Sequence, residues 1–151
     1  MVYLASRHRR LACLVSGLVL LAGSVEGIDD PPSAVGPLKG LLQKGTLPPE
    51  RVESIARTIC ERGNEHDLAF IFEQTLGTQW SSELRAKALG WLADAATTRK
   101  LRPAGDLPRL VELLDANQED ALRLAATRLA AALTVEAAVP ALQTLAARSD
   151  T

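Results

Sequence analysis

One apolar stripe occurs three times along this sequence, and that repeat limits what the chain can become. The three copies are Val52, Ala56, Ile59 and Cys60, then Leu84, Ala88, Trp91 and Leu92, then Leu122, Ala126, Leu129 and Ala130. Each places apolar residues at i, i+4, i+7 and i+8, which is a single face of an α-helix. The copies start 32 and then 38 residues apart, a period typical of stacked helical pairs. Shorter helices repeat between them: Leu107-Pro108 with Leu110 returns as Val139-Pro140 with Leu142, 32 residues on. The implied fold class is all-α, a right-handed α-solenoid of antiparallel helix pairs with about three and a half repeats.

Punctuation residues divide the pattern into helices. Pro37 suits the first turn of a short helix bearing Leu38, Leu41 and Leu42, which Gly45 ends. Pro49 opens a second, with Gly63 expected just past its end. Asn64, with Asp67 three residues on, caps a third that closes at Gly77. Ser81 or Ser82 caps a fourth, from Glu83 to about Thr98. The connection from Thr97 to Gly105 is the longest, and its extra length accounts for the wider second spacing. Asp106 is expected to cap a short fifth helix, Asn117 with Asp120 a sixth, and Thr134 the last. Pro140 falls inside that last helix and should bend it or delay its regular start.

The front of the chain reads as an address. Arg7, His8, Arg9 and Arg10 precede an apolar run from Leu11 to Val25 of 15 residues, with small residues at Ala22, Gly23 and Ser24. That order is a secretory signal layout, expected over residues 1–27. The run is short of the roughly 20 residues a membrane span needs, so an uncleaved anchor is the lesser alternative. Ser24 stands where a lipoprotein signal would carry its cysteine, which argues against lipidation. An extended leader, 28–36, contains Pro31-Pro32. Residues 37–151 form the repeat domain. The protein is thus expected outside the cytoplasm, periplasmic or extracellular, without stable membrane insertion once cleaved.

Loss of the first 24 residues removes three arginines and no acid, taking the formal charge from −1 to −4. A mildly acidic chain is a poor match for nucleic-acid phosphates, which need clustered Lys and Arg. Cys13 leaves with the signal, so Cys60 has no partner for an internal disulfide. On its helical stripe it reads as a small buried apolar residue, with an intermolecular bridge or reactive thiol as alternatives. Apolar residues make up 47% of the chain but aromatics only 3%. The core must therefore be built from alanine and leucine, through many modest contacts at close helix approach.

From residue 37 to 148 the sequence resembles HEAT-like repeats, most specifically over Asp106 to Ala147. Second helices of that family carry an aliphatic-Arg pair followed by alanines and a leucine. Leu84-Arg85 with Ala88 fits, as does Leu122-Arg123 with Ala126 and Leu129; Val52-Glu53 departs, so the first repeat is read as a possible N-terminal cap. The resemblance implies a non-catalytic scaffold that contacts a protein partner or a neighbouring domain. The stretch from Leu47 to Leu107 also resembles, more weakly, the leading region of large exported bacterial proteins that combine HEAT-like repeats with a dehydrogenase-like propeller and a c-type haem domain. That resemblance implies a fragment whose catalytic part lies elsewhere. Haem attachment needs CxxCH, which this chain lacks, so no haem role passes to any residue and no cofactor is expected. The last helix matches the first member of a pair and is alanine-rich on its free flank. A repeat domain truncated at its C-terminal end is therefore expected.

No residue pattern announces a reaction, and the chain is expected not to be an enzyme. His66 stands alone in the first turn of a capped helix, where an exposed and inert side chain is the plain reading. The acids Glu50, Glu53, Glu83, Glu119 and Asp120 sit mostly in first turns, where they complement the helix dipole. Arg99, Lys100 and Arg102 form the one basic cluster; it is either a solvated loop or a contact for an acidic partner. With Arg85 and Arg123 they are the candidate partner contacts. Trp80, in a turn, is expected to pack over a helix pair rather than serve as a ligand platform.

If the front is a cleaved signal, N-terminal sequencing of exported material will begin between Val25 and Asp29. Recovery of an intact Met1 end from membranes would instead show an anchor.

Overall fold

A computed structural model of the chain describes residues 33–149. The expected signal, 1–27, and the leader as far as Pro32 lie outside the described residues. Among the described residues every regular element is helical and there is no strand. No helix among them is long and apolar enough to cross a membrane.

Helix α1, Gly36–Gln43, holds Pro37 in its first turn, where the missing N–H costs nothing. Gly45 follows at φ +65, a left-handed turn that favours glycine. The fold reaches further forward than the expected boundary at residue 37. Val35 is buried, and Ser33 Oγ donates to Asp67 Oδ2 at 2.6 Å. The last residues of the expected leader are thus docked.

Helix α2, Pro49–Arg62, buries Ala56, Ile59 and Cys60. Val52, the first member of its stripe, is only half-buried. Helix α3, Glu65–Leu76, starts with the expected capping box: Asn64 Oδ1 accepts from the His66 and Asp67 N–H groups, both at 3.0 Å. Asp67 Oδ2 accepts from the Asn64 N–H at 2.9 Å. Gly63, between the two helices, is not the left-handed residue expected there; its backbone is extended, with φ −70. It must be glycine for space. A Cβ at this position would meet Asp67 Cβ and the Ile59 carbonyl, both at 2.6 Å.

Helix α4, Ser82–Asp94, is capped by Ser81, whose Oγ accepts from the Leu84 N–H at 3.3 Å. The helical path continues towards Thr98 as expected, but it widens into a π-helical turn, Ala95–Arg99. There the Thr97 and Thr98 hydroxyls donate to the Ala93 and Asp94 carbonyls and compete with the α-helical ladder. Lys100 ends it in the left-handed region at φ 57.

Three expected caps fail. Asp106 makes no capping bond to the element that follows, a 3-10 helix, Leu107–Leu114. Helix α5, Asp120–Leu133, is preceded by Glu119 rather than capped by Asn117. Asn117 is held back in a turn by its own N–H, which donates to Asp115 Oδ1 at 2.8 Å. Thr134 closes α5 in the left-handed conformation instead of opening the next helix. A 3-10 turn, Glu136–Ala138, then leads into α6, Val139–Ser149. Pro140 therefore delays the regular start of that helix and lies in its first turn.

Each helix packs on its neighbours in the chain, and non-adjacent helices meet as well. Helix α4 touches α2, α3 and α5, with its most extensive packing against α5. Ala88 on α4 and Ala126 on α5 are fully buried. One hydrophobic cluster runs from Val35 through Ile59, Phe72 and Leu92 to Leu129 and Ala138. A leucine buried in it contributes roughly 1.5–3 kcal/mol.

Leu129 is 0% exposed. Leu129→Ala is expected to cost about 2–5 kcal/mol of stability, as large-to-small core changes do. Arg102→Ala, on an exposed loop, should stay within about 0.5 kcal/mol. Denaturation midpoints of the two variants check this, and equal midpoints would contradict the packing.

Candidate functional site

The five candidate contact cations fall into two groups. Arg85 is only 8% exposed, and its Nε donates to the Thr75 carbonyl at 2.7 Å. Thr75, itself buried, sends its hydroxyl to the Phe72 carbonyl at 2.7 Å. Arg123, at the matching place in α5, donates from Nη1 to the Ala116 and Gln118 carbonyls at 3.2 and 3.3 Å and pairs with Asp120 at 2.5 Å. Both arginines thus turn back from a second helix to supply donors to carbonyls at the end of the helix before it. Such carbonyls lack intrahelical partners. Glu53 occupies the same place in α2 and meets Lys87 of α4 at 3.1 Å, in an exposed pair. Two glutamates, Glu83 as well as Glu53, hold the Lys87 ammonium above its ordinary pKa.

Arg99 does the same across a longer gap. Its Nη1 donates to the Cys60 carbonyl at 2.8 Å and its Nη2 to the Gly63 carbonyl at 2.6 Å, closing the C-terminal end of α2. The guanidinium also complements the negative end of that helix. Arg85, Arg99 and Arg123 are therefore structural clamps, which corrects the expectation that all five cations face a partner. Lys100 and Arg102 are exposed, and neither forms an ion pair or hydrogen bond among the described residues. The loop that carries them is fixed by buried Pro103 and by the Ala104 N–H, which donates to the Glu65 carbonyl at 3.0 Å.

Cys60 is buried against this clamp. Burial pushes its thiol up to about 12; Arg99 opposes that rise and Glu61 adds to it. The thiol stays protonated at physiological pH, so the sulfur is a poor nucleophile. His66 is exposed, and its backbone N–H donates to Asn64. No group of three or more His, Cys, Asp or Glu among the described residues could hold a metal ion.

Sequence reasoning missed a groove that forms between the α1–α2 and α3–α4 connections. It encloses about 630 Å³, and its walls include Leu47, Val52, Phe70, Gln74, Gln79 and Trp80. Trp80 packs against the core as expected but also presents itself to this groove. The half-burial of Val52 is the trace of the groove in the helical pattern. A smaller cavity of about 380 Å³ lies beside the start of α3, between Ser33, Lys39 and His66.

No protein-family model matches the chain, and no curated protein and no solved structure matches it.

The raised thiol pKa sets a pH dependence. A thiol ionises near 9.0 in the unfolded chain and near 12 in the folded one. Its buried neutral form therefore adds no pH dependence below 9. Above that, the unfolded state loses the proton first, and stability falls as pH rises towards 12. Wild type minus Cys60→Ala, measured by urea denaturation from pH 7 to 10.5, should be flat to about pH 9 and then decline. A flat difference throughout would show that the thiol ionises as freely folded as unfolded.

Proposed function

We propose that this chain is an exported, non-catalytic HEAT-like scaffold segment whose helix faces contact a protein partner or a neighbouring domain. The observation that carries this reading is the outer face of α5. Ala121, Leu124, Arg128 and Ala131 lie three or four residues apart and are all exposed, with Leu124 56% exposed. Exposed leucines scattered singly are ordinary. Here the leucine shares a continuous helix face with two alanines, on the side that the described helices leave open.

The order of helix contacts supports a solenoid. Helices α2, α4 and α5 touch in succession, as do α1, α3, the 3-10 helix and α6. Two such rows, one of first helices and one of second helices, are how stacked pairs grow. The signal layout at the front supports export. With three of the five cations clamped onto carbonyls, Lys100 and Arg102 are the charged groups that remain for contact with an acidic partner. Such exposed charges steer encounter more than they hold a complex.

A photoreactive phenylalanine analogue at position 124, introduced in the producing cell, is expected to give a crosslinked species of higher mass. The same analogue at exposed Arg51 of α2 should not give it. Absence of any adduct from position 124 would overturn the assignment of this face.

A further inference from the structure

The groove beside Trp80 differs in chemistry from the rest of the surface. Charged residues make up 23% of the chain, yet none of the twelve residues lining this groove is charged. Its walls are apolar, from Leu47, Val52, Phe70, Trp80 and Leu84, and are interrupted by the amides of Gln43, Gln74 and Gln79. None of those three amides hydrogen-bonds to another described residue. At about 630 Å³ the space falls within the range of ligand sites, which combine apolar walls with a few placed polar groups.

We propose that this groove binds an uncharged, proline-containing extended segment of a partner protein. This deepens the scaffold reading and rests on it. The charge balance selects the ligand. A charged group entering the groove would lose water and find no counter-charge, which is costly. An extended polyproline-type segment carries no charge and forms no internal hydrogen bonds, so its carbonyls are free to accept. The glutamine amides supply donors for them, and the aromatic walls suit pyrrolidine rings, as in other aromatic-lined grooves that take such peptides. A sugar fits less well. It needs an open aromatic face, and Lys39 Nζ already stands 5.6 Å from the centre of the Phe70 ring.

The probe is a blocked, uncharged dodecapeptide that alternates two prolines with one leucine. Titrated into the full chain, it should shift the backbone amide resonances of Gln74, Gln79 and Trp80 in a saturable way. The chain has two tryptophans, so in Trp91→Phe the emission of Trp80 alone should report the same curve. Gln74→Glu should weaken binding by about tenfold or more, while Arg57→Ala, outside the groove, should leave it unchanged. The same peptide with glycine in place of each proline should bind more weakly, since it is not preordered. No saturable shift in the wild-type spectrum, shifts centred elsewhere, or indifference to Gln74→Glu would overturn the proposal. These outcomes are separable from failure of the scaffold reading, which is tested in cells at a different helix.

Discussion

The C-terminal end of α2 is the joint on which the first half of the structure depends. A helix end exposes carbonyls with no partner in the helix. Here the Cys60 and Gly63 carbonyls both receive the guanidinium of Arg99, 36 or more residues later in the chain. That one side chain ties the end of α4 to the end of α2. The next residues build the start of α3. Asn64 and Asp67 cap each other, and Asp67 also holds Ser33. A glycine is required between the two caps because Asp67 and the Ile59 carbonyl come so close. A helix end, a helix start and the approach to α1 therefore meet within a few residues. The buried Cys60 thiol beside them is kept neutral by the same lack of water.

The second half uses the same device at shorter range. Arg85 and Arg123 each reach back to carbonyls of the preceding connection. The aliphatic-Arg pair thus does two jobs with adjacent residues. Leu84 and Leu122 fill the interior, and the neighbouring arginine closes the previous helix. Exposed pairs such as Lys87 with Glu53, and Arg109 with Glu73, also bridge elements, but solvent screening makes them weak. The clamps onto carbonyls are stronger because a charged donor meets groups that would otherwise be unsatisfied.

Much of the helical fold was legible in the sequence because apolar periodicity is a property of burial. Ala56, Ile59, Cys60, Ala88, Leu92, Leu122, Ala126 and Leu129 all lie in the core as their spacing implies. Caps were legible only where no rival acceptor was near. Asn64 had its partner at the right distance, whereas Asn117 was captured by Asp115 and Thr134 took the left-handed turn after α5. The π-helical turn at Ala95–Arg99 left no mark in the apolar pattern. The arginines misled for a different reason. A long side chain with a fixed charge reads as surface, but its reach lets the head return to the backbone while its position stays on a buried stripe. The groove was illegible because its walls come from two connections more than twenty residues apart, and no local spacing encodes their meeting.

Helix rows with small residues at closest approach have a consequence for where function can sit. Ala88 and Ala126 let α4 and α5 come together without residual space, so this interface offers no cavity among the described residues. Rigid, close-packed interiors leave little room for binding chemistry. Contact with other molecules must then use what the packing leaves over: the connections, where long side chains diverge, and the flank of a helix that no neighbour covers. The groove near Trp80 and the face of α5 that carries Leu124 are those two kinds of remainder. They do not share an element, since the groove is built from α1 to the start of α4 and Leu124 lies in the following second helix. A scaffold of this kind can therefore hold two partners at once without either having to displace the other.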